Sequence, residues 1–199
     1  MTYISDKLPA LSGVAKTLST ILGGTYLAGI WNNENLLEQL AWSTSRPRSS
    51  LRPRPGYTAP TWSWASIDDP VKFPNLWREE PDSFYAGYKR HTKLIQAHVD
   101  PMGADETGAV RNGFLLLQGH LRCVTQPRKE ELERAFNMQF DTREEIIGDL
   151  FFLSLFTGYH IRFTRHEDAD SHNFGHYLVL VRDPYNSNGY RRVGLATTT

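Results

Sequence analysis

The chain has 199 residues, long enough for a core that removes about 70% of the unfolded surface from water. Lys and Arg together number 22, as do Asp and Glu, and hydrophobic residues make up 40%; this excludes a disordered chain and argues against a dedicated nucleic-acid or membrane-surface binder. The single cysteine, Cys123, excludes an intramolecular disulfide and a cysteine-based zinc knuckle.

Taken in chain order, the first element expected is a helix. Ser5 or Asp6 can cap it, and Pro9 falls in the first turn, where a missing N–H costs little. Leu8, Leu11, Val14, Ala15, Leu18, Ile21 and Leu22 recur at spacings of three and four, which predicts one apolar stripe. Gly23-Gly24 ends the helix, because glycine tolerates the left-handed conformation that follows one. Tyr26-Leu-Ala-Gly-Ile-Trp31 is an apolar hexapeptide that must be packed against something. A second, shorter helix is expected after Asn33, with Leu36, Leu37 and Leu40 on one side. Residues 1–45 thus form a helical N-terminal segment. Residues 46–56, with four arginines in RPRSSLRPRP, are expected to be a solvated, poorly ordered loop or linker.

From residue 57 to 199 the pattern is β-rich, and together with 1–45 it is expected to form one domain. Thr61-Trp-Ser-Trp-Ala-Ser-Ile67 alternates large and small residues as a half-buried strand does, with Trp62 and Trp64 on one face. Further strands are expected at Leu94–Val99, Phe114–Val124, Asp149–Phe156, Tyr177–Val181 and Tyr190–Leu195. A short helix is expected at 129–138, and a turn at Asp183–Gly189. The fold class predicted is α+β, with N-terminal helices packed on a mainly antiparallel sheet or partial barrel. The longest apolar run, Leu150–Phe156, is too short to span a bilayer, and the N-terminus lacks a signal-peptide pattern, so a soluble, cytoplasmic protein is expected.

Motifs for chemistry are sparse. Neither the phosphate-binding loop, the dinucleotide fingerprint, the nucleophile elbow nor the zinc-protease motif occurs. His160, His166, His172 and His176 lie close together with Glu167, Asp168 and Asp170, a composition that can bind metal. Their spacings fit no standard site, so a solvated hairpin tip at Glu167–Ser171 is favoured. Cys123 with His120 could serve as nucleophile and base, but strand positions three apart face opposite ways, which favours a buried structural thiol. Arg46, Arg48, Arg52 and Arg54 could contact phosphates, yet no second basic cluster completes a nucleic-acid footprint. Trp31, Trp42, Trp62 and Trp64 are read as core packing in preference to a ligand pocket. No catalytic, cofactor-binding or metal residue is assigned.

Several stretches together resemble fungal heterokaryon-incompatibility (HET) domain proteins. Ser5-Asp-Lys-Leu-Pro-Ala-Leu-Ser-Gly-Val-Ala15, Thr25-Tyr-Leu-Ala-Gly-Ile-Trp31, Leu40-Ala-Trp42, Ala59-Pro-Thr-Trp-Ser-Trp-Ala-Ser66 and Tyr190-Arg-Arg-Val-Gly194 are similar to segments of that family, in the family's order. Thr61 stands where the family signature has serine. The resemblance implies the segment downstream of the HET core, without the core itself. It implies a role in nonself recognition and programmed cell death, and a HET core or another incompatibility protein as partner, in cis or in trans. The core is likened to TIR domains, some of which hydrolyse NAD, and that chemistry would lie upstream. This segment is accordingly expected to be non-enzymatic. Trp62, Ser63, Trp64, Ala65 and Ser66 carry over as a structural motif only. The alternative reading is a small ligand- or metal-binding domain, or a hydrolase-like enzyme, with its site near His160–His176.

Overall fold

The computed structural model describes residues 4–74, 83–126, 129–163 and 169–198. The architecture is mostly β, with few helices and antiparallel pairing throughout. Helix α1 spans Lys7–Leu22 and follows a 3-10 turn at Ile4–Asp6. A hairpin of β1 (Thr25–Leu27) and β2 (Ile30–Asn32) comes next, then α2 (Leu36–Leu40). Two short strands, β3 (Ser43–Thr44) and β4 (Val71–Lys72), pair across the arginine-rich segment and the tryptophan motif. The remaining elements are β5 (Ser83–Arg90), β6 (Thr92–Pro101), β7 (Val110–Gly119), β8 (Leu121–Val124), α3 (Lys129–Ala135), β9 (Asn137–Phe140), β10 (Leu150–Phe163), β11 (Ala169–Asp183) and β12 (Asn186–Thr198).

The main sheet has the order β5-β10-β11-β12-β9, with β8 also on β10, and it is open, not closed into a barrel. One edge of β10 is shared: β8 pairs with residues 150–153, and β5 pairs from Phe156 onward. The β6–β7 hairpin leaves the sheet between them, at a register irregularity between Ser154 and Phe156. The run Leu150-Phe-Phe-Leu-Ser-Leu-Phe156 has no polar face because both sides of β10 are covered. Phe151, Leu153, Leu155 and Phe156 join Leu36, Leu37 and Leu40 of α2 in one core cluster. Leu150 and Phe152 join Val179 and Ala196 in another, against which Leu132 and Phe136 pack.

Most expected elements form, with longer or broken strands. The expected strand Phe114–Val124 is two strands interrupted at His120, and the turn expected at Asp183–Gly189 is confined to residues 184–185. The hexapeptide at 26–31 is the β1–β2 hairpin, with Leu27, Ala28 and Ile30 buried. Helix α1 forms as its spacing predicts, but its stripe is only partly covered. Leu8, Ser12 and Ala15 are buried, whereas Val14 is 55% and Ile21 72% exposed. Its attachment is largely polar: the Lys7 ammonium donates to Ile67 O, and the Ser12 hydroxyl donates to Asp105 Oδ2 at 2.5 Å.

Three expectations are corrected. Thr61–Ile67 is not a strand but a turn leading into a 3-10 helix at Trp64–Ser66. The arginine-rich segment is a loop held to the protein. Leu51 is 2% exposed, Arg46 pairs with Asp69 at 3.2 Å, and Arg48 lies 4.1 Å over the Phe140 ring. Cys123 is exposed, not buried, because β8 pairs with β10 alone among the described residues and lies at the sheet edge. No helix is long and apolar enough to cross a membrane among the described residues.

Candidate functional site

The tryptophan motif owes its shape to Pro60 and Ser63. Ser63 N–H donates to Pro60 O at 2.9 Å, closing a turn that a strand could not contain. Ser63 then caps the 3-10 helix, its Oγ accepting from Ala65 N–H at 3.0 Å. The same hydroxyl donates to Ala28 O at 2.5 Å, and Trp64 Nε1 donates to Gly29 O at 2.7 Å. Both acceptors belong to the β1–β2 turn. Gly29 has φ +103, and a Cβ there would lie 2.7 Å from Trp64 Nε1, so this contact requires glycine twice over. Trp62 is held differently. Its carbonyl accepts from Trp42 Nε1 at 2.9 Å, while its own Nε1 is buried without a partner. The two indoles thus do not share a strand face; one is bonded and the other packed. Ala65 and Ser66 are buried, and Ser66 Oγ accepts from Arg54 at 2.6 Å.

Beside this turn lies a buried charge centre. Arg192 is 2% exposed and Asp141 1%. Arg192 Nε and Nη2 donate to the two Asp141 oxygens at 3.0 and 3.2 Å. Its remaining donors reach Leu40 O and Trp42 O, both at 2.5 Å, and the guanidinium carbon sits 3.4 Å from the centroid of the Trp42 ring. Arg54 approaches Asp141 at 3.8 Å, and burial lowers the pKa of both arginines against the pull of that carboxylate. Arg192 N–H also donates to Thr61 Oγ1 at 3.0 Å, tying β12 to the start of the motif. Nothing in the sequence distinguishes Arg191, which is exposed, from Arg192, which organises this centre.

The histidine stretch lies along the β10–β11 pair. His160 and His172 are opposite one another across β10 and β11, His172 is exposed, and His176 pairs with Phe156. His166, Glu167 and Asp168 lie outside the described residues, and the rest of the tip expected at Glu167–Ser171 is strand instead, because 169–171 continue β11 in its pairing with β10. Among the described residues no group of three His, Cys, Asp or Glu side chains could hold a metal. His176 stacks on the Phe156 ring at 4.6 Å, its Nδ1 is buried without a partner, and burial lowers its pKa to about 4. Protonation therefore favours the unfolded chain, whose histidines titrate near 6.5. Stability is expected to be fully present above about pH 6.5 and to fall toward pH 4, by about 2 kcal/mol after discounting partial exposure. His176→Phe should flatten that slope in urea melts; an unchanged slope would refute the assignment.

His120, considered as a base for Cys123 and judged to face away from it, lies beside His91, with ring centroids 6.5 Å apart. A cleft of about 940 Å³ lies between α3 and residues 145–148 over an apolar floor of Leu132, Phe136, Met138 and Leu150. Comparison with protein-family models, with curated proteins and with solved structures returns no match.

Proposed function

We propose that the chain is the segment of a fungal heterokaryon-incompatibility protein downstream of the HET core, with no catalytic centre of its own. Its N-terminal helices and sheet serve as the body that docks with the core, in cis or in trans. The observation that carries this reading is convergence. The stretches that resemble the family are far apart in sequence yet meet at one buried junction. Leu8, Ala28, Ala59 and Ala65 share a core cluster. Ser63 and Trp64 donate to the Ala28 and Gly29 carbonyls, and Arg192 donates to those of Leu40 and Trp42. A motif kept for packing has this distribution; a motif kept for catalysis would aim its polar atoms into a cavity.

The uncovered stripe of α1 supplies the docking face in this reading. Val14 and Ile21 are exposed and bear no load in this fold. Val14→Asp with Ile21→Asp should change stability by less than about 0.5 kcal/mol. The same pair should reduce capture of a co-expressed HET core more than tenfold. Undiminished capture by a folded variant would overturn this face. Mapping the 5′ end of the transcript tests the cis form, which requires an in-frame core upstream of Met1.

A further inference from the structure

Strand β5 passes into β6 through one residue, His91, and β7 passes into β8 through one residue, His120. Both joints are fixed to the irregular part of β10. His91 N–H donates to Leu155 O at 2.8 Å, and Ser154 N–H donates to His120 O at 3.1 Å. The Thr92 hydroxyl donates to Ser154 O at 2.6 Å. A Cβ at Gly119 would meet that hydroxyl at 2.2 Å, so glycine is needed for the joints to close up. The two imidazoles are consequently held nearly parallel, 27° apart in plane.

A hollow of about 400 Å³ opens beside them, lined by Arg90, His91, Thr92, Lys93, Gln118 and His120. Its surroundings are cationic in a chain whose net charge is zero. Lys89 lies two residues before His91 and acts on its charge, and Arg122 lies two residues beyond His120. Glu38 reaches this group from behind, its Oε1 accepting from Arg90 at 2.7 Å and from the Tyr88 hydroxyl. Lys89 and Lys93 form no ion pair among the described residues. His91 Nε2 is 2.8 Å from Thr157 Oγ1, which fixes the ring and leaves Nδ1 without a bond among the described residues. Burial, then Lys89, then His120 lower the His91 pKa, so an anion placed here would relieve all the charge repulsion at once. A metal ion would find two imidazoles but also three neighbouring cations, and no carboxylate or thiolate lines the hollow.

We propose that this hollow is an anion site for a phosphoryl group, free or carried on a small ester, held by the His91 and His120 imidazoles and the Lys93 ammonium, with Lys89 near His91 and the Glu38-paired Arg90 on the wall. The volume exceeds a single phosphate and leaves room for a small ester substituent, but it is too shallow to enclose a nucleotide.

The test is NMR of the histidine ring signals during titration with inorganic phosphate and, separately, glycerol 3-phosphate, at constant ionic strength. Saturable shifts are expected at His91 and His120 and not at His98 or His172. Tighter binding of the ester assigns a small phosphate ester as the source; equal binding assigns free phosphate. Sulfate keeps its charge across the range and reads the pH dependence of binding, which should tighten only as the pH falls below about 6.5, because burial and Lys89 hold the His91 pKa under its ordinary value. The charged groups around them are Lys89, which acts on His91, and Arg90 and Lys93, which line the hollow, with Glu38 and Tyr88 behind Arg90. Lys93→Gln and His120→Gln, both at exposed positions, should each weaken binding about tenfold, while Arg111→Gln at the far end of β7 should not. Shifts that do not saturate, that reach His98 and His172 equally, or that saturate at the same concentration in Lys93→Gln overturn the site.

Discussion

Asp141→Ala is expected to destabilise the protein by about 3–5 kcal/mol, the range for leaving a buried charge uncompensated. The carboxylate sits between two guanidiniums, Arg192 at 3.0 Å and Arg54 at 3.8 Å, and is almost wholly excluded from water. Removing it leaves Arg192 held by the Leu40 and Trp42 carbonyls alone, with a second positive charge close by. Those carbonyls and the Trp42 ring offset part of the desolvation but none of the repulsion. The reverse change, Arg192→Met, strands the carboxylate and two carbonyls, so it should cost a similar amount. The double variant Asp141→Leu with Arg192→Met should lose less than the two single losses together, because neither charge is then left alone. Urea midpoints at unchanged m-value read all three. Adding salt should barely alter these differences. It should weaken an exposed pair such as Lys16–Asp105, where both side chains are more than 40% exposed. A loss below about 1 kcal/mol for Asp141→Ala would mean that the pair is solvated and the junction is organised by packing alone.

Which parts of this architecture could be read from the sequence follows from how local each signal is. The α1 spacing and the Gly23-Gly24 stop report on neighbouring residues only, and the helix ends where they say. The run from Leu150 to Phe156 announces a strand covered on both faces, and β10 is that strand. Alternation misleads at Thr61–Ile67. A Ser-capped 3-10 turn after Pro60 places large and small residues in the same order as a strand, and only the Pro60–Ser63 spacing signals the turn. The arginine-rich loop reads as solvated because its acceptors, Asp68, Asp69, Asp141 and Glu144, are supplied from distant segments. Arg192 is illegible for the same reason. So is the His91–His120 pair, whose members meet only because β10 shares one edge between two strands.

The tryptophan motif yields a contrast that composition alone would not suggest: the two indoles should respond unequally to the same substitution. Trp64→Phe removes the donor to Gly29 O and leaves that carbonyl unsatisfied in a turn already constrained at Gly29. A loss of about 1–3 kcal/mol is expected. Trp62→Phe removes an Nε1–H that is buried with no partner, so the lost packing is offset by the end of a desolvation penalty. That variant should be close to neutral. Truncation differs from this trimming of polar atoms. Both side chains pack against the cluster that contains Leu27, Ile30 and Leu40 and against the one that contains Leu8 and Ala65. The double variant Trp62→Ala with Trp64→Ala therefore opens both at once. A cost of about 3–5 kcal/mol for each large truncation exceeds what many domains have in reserve, so the double variant should be unfolded at 25 °C. Thermal melts of the four proteins decide between this account and a surface role. An unchanged melting temperature in the double alanine variant would remove the motif from the core, and equal losses for the two phenylalanine variants would show that the Gly29 hydrogen bond carries no weight.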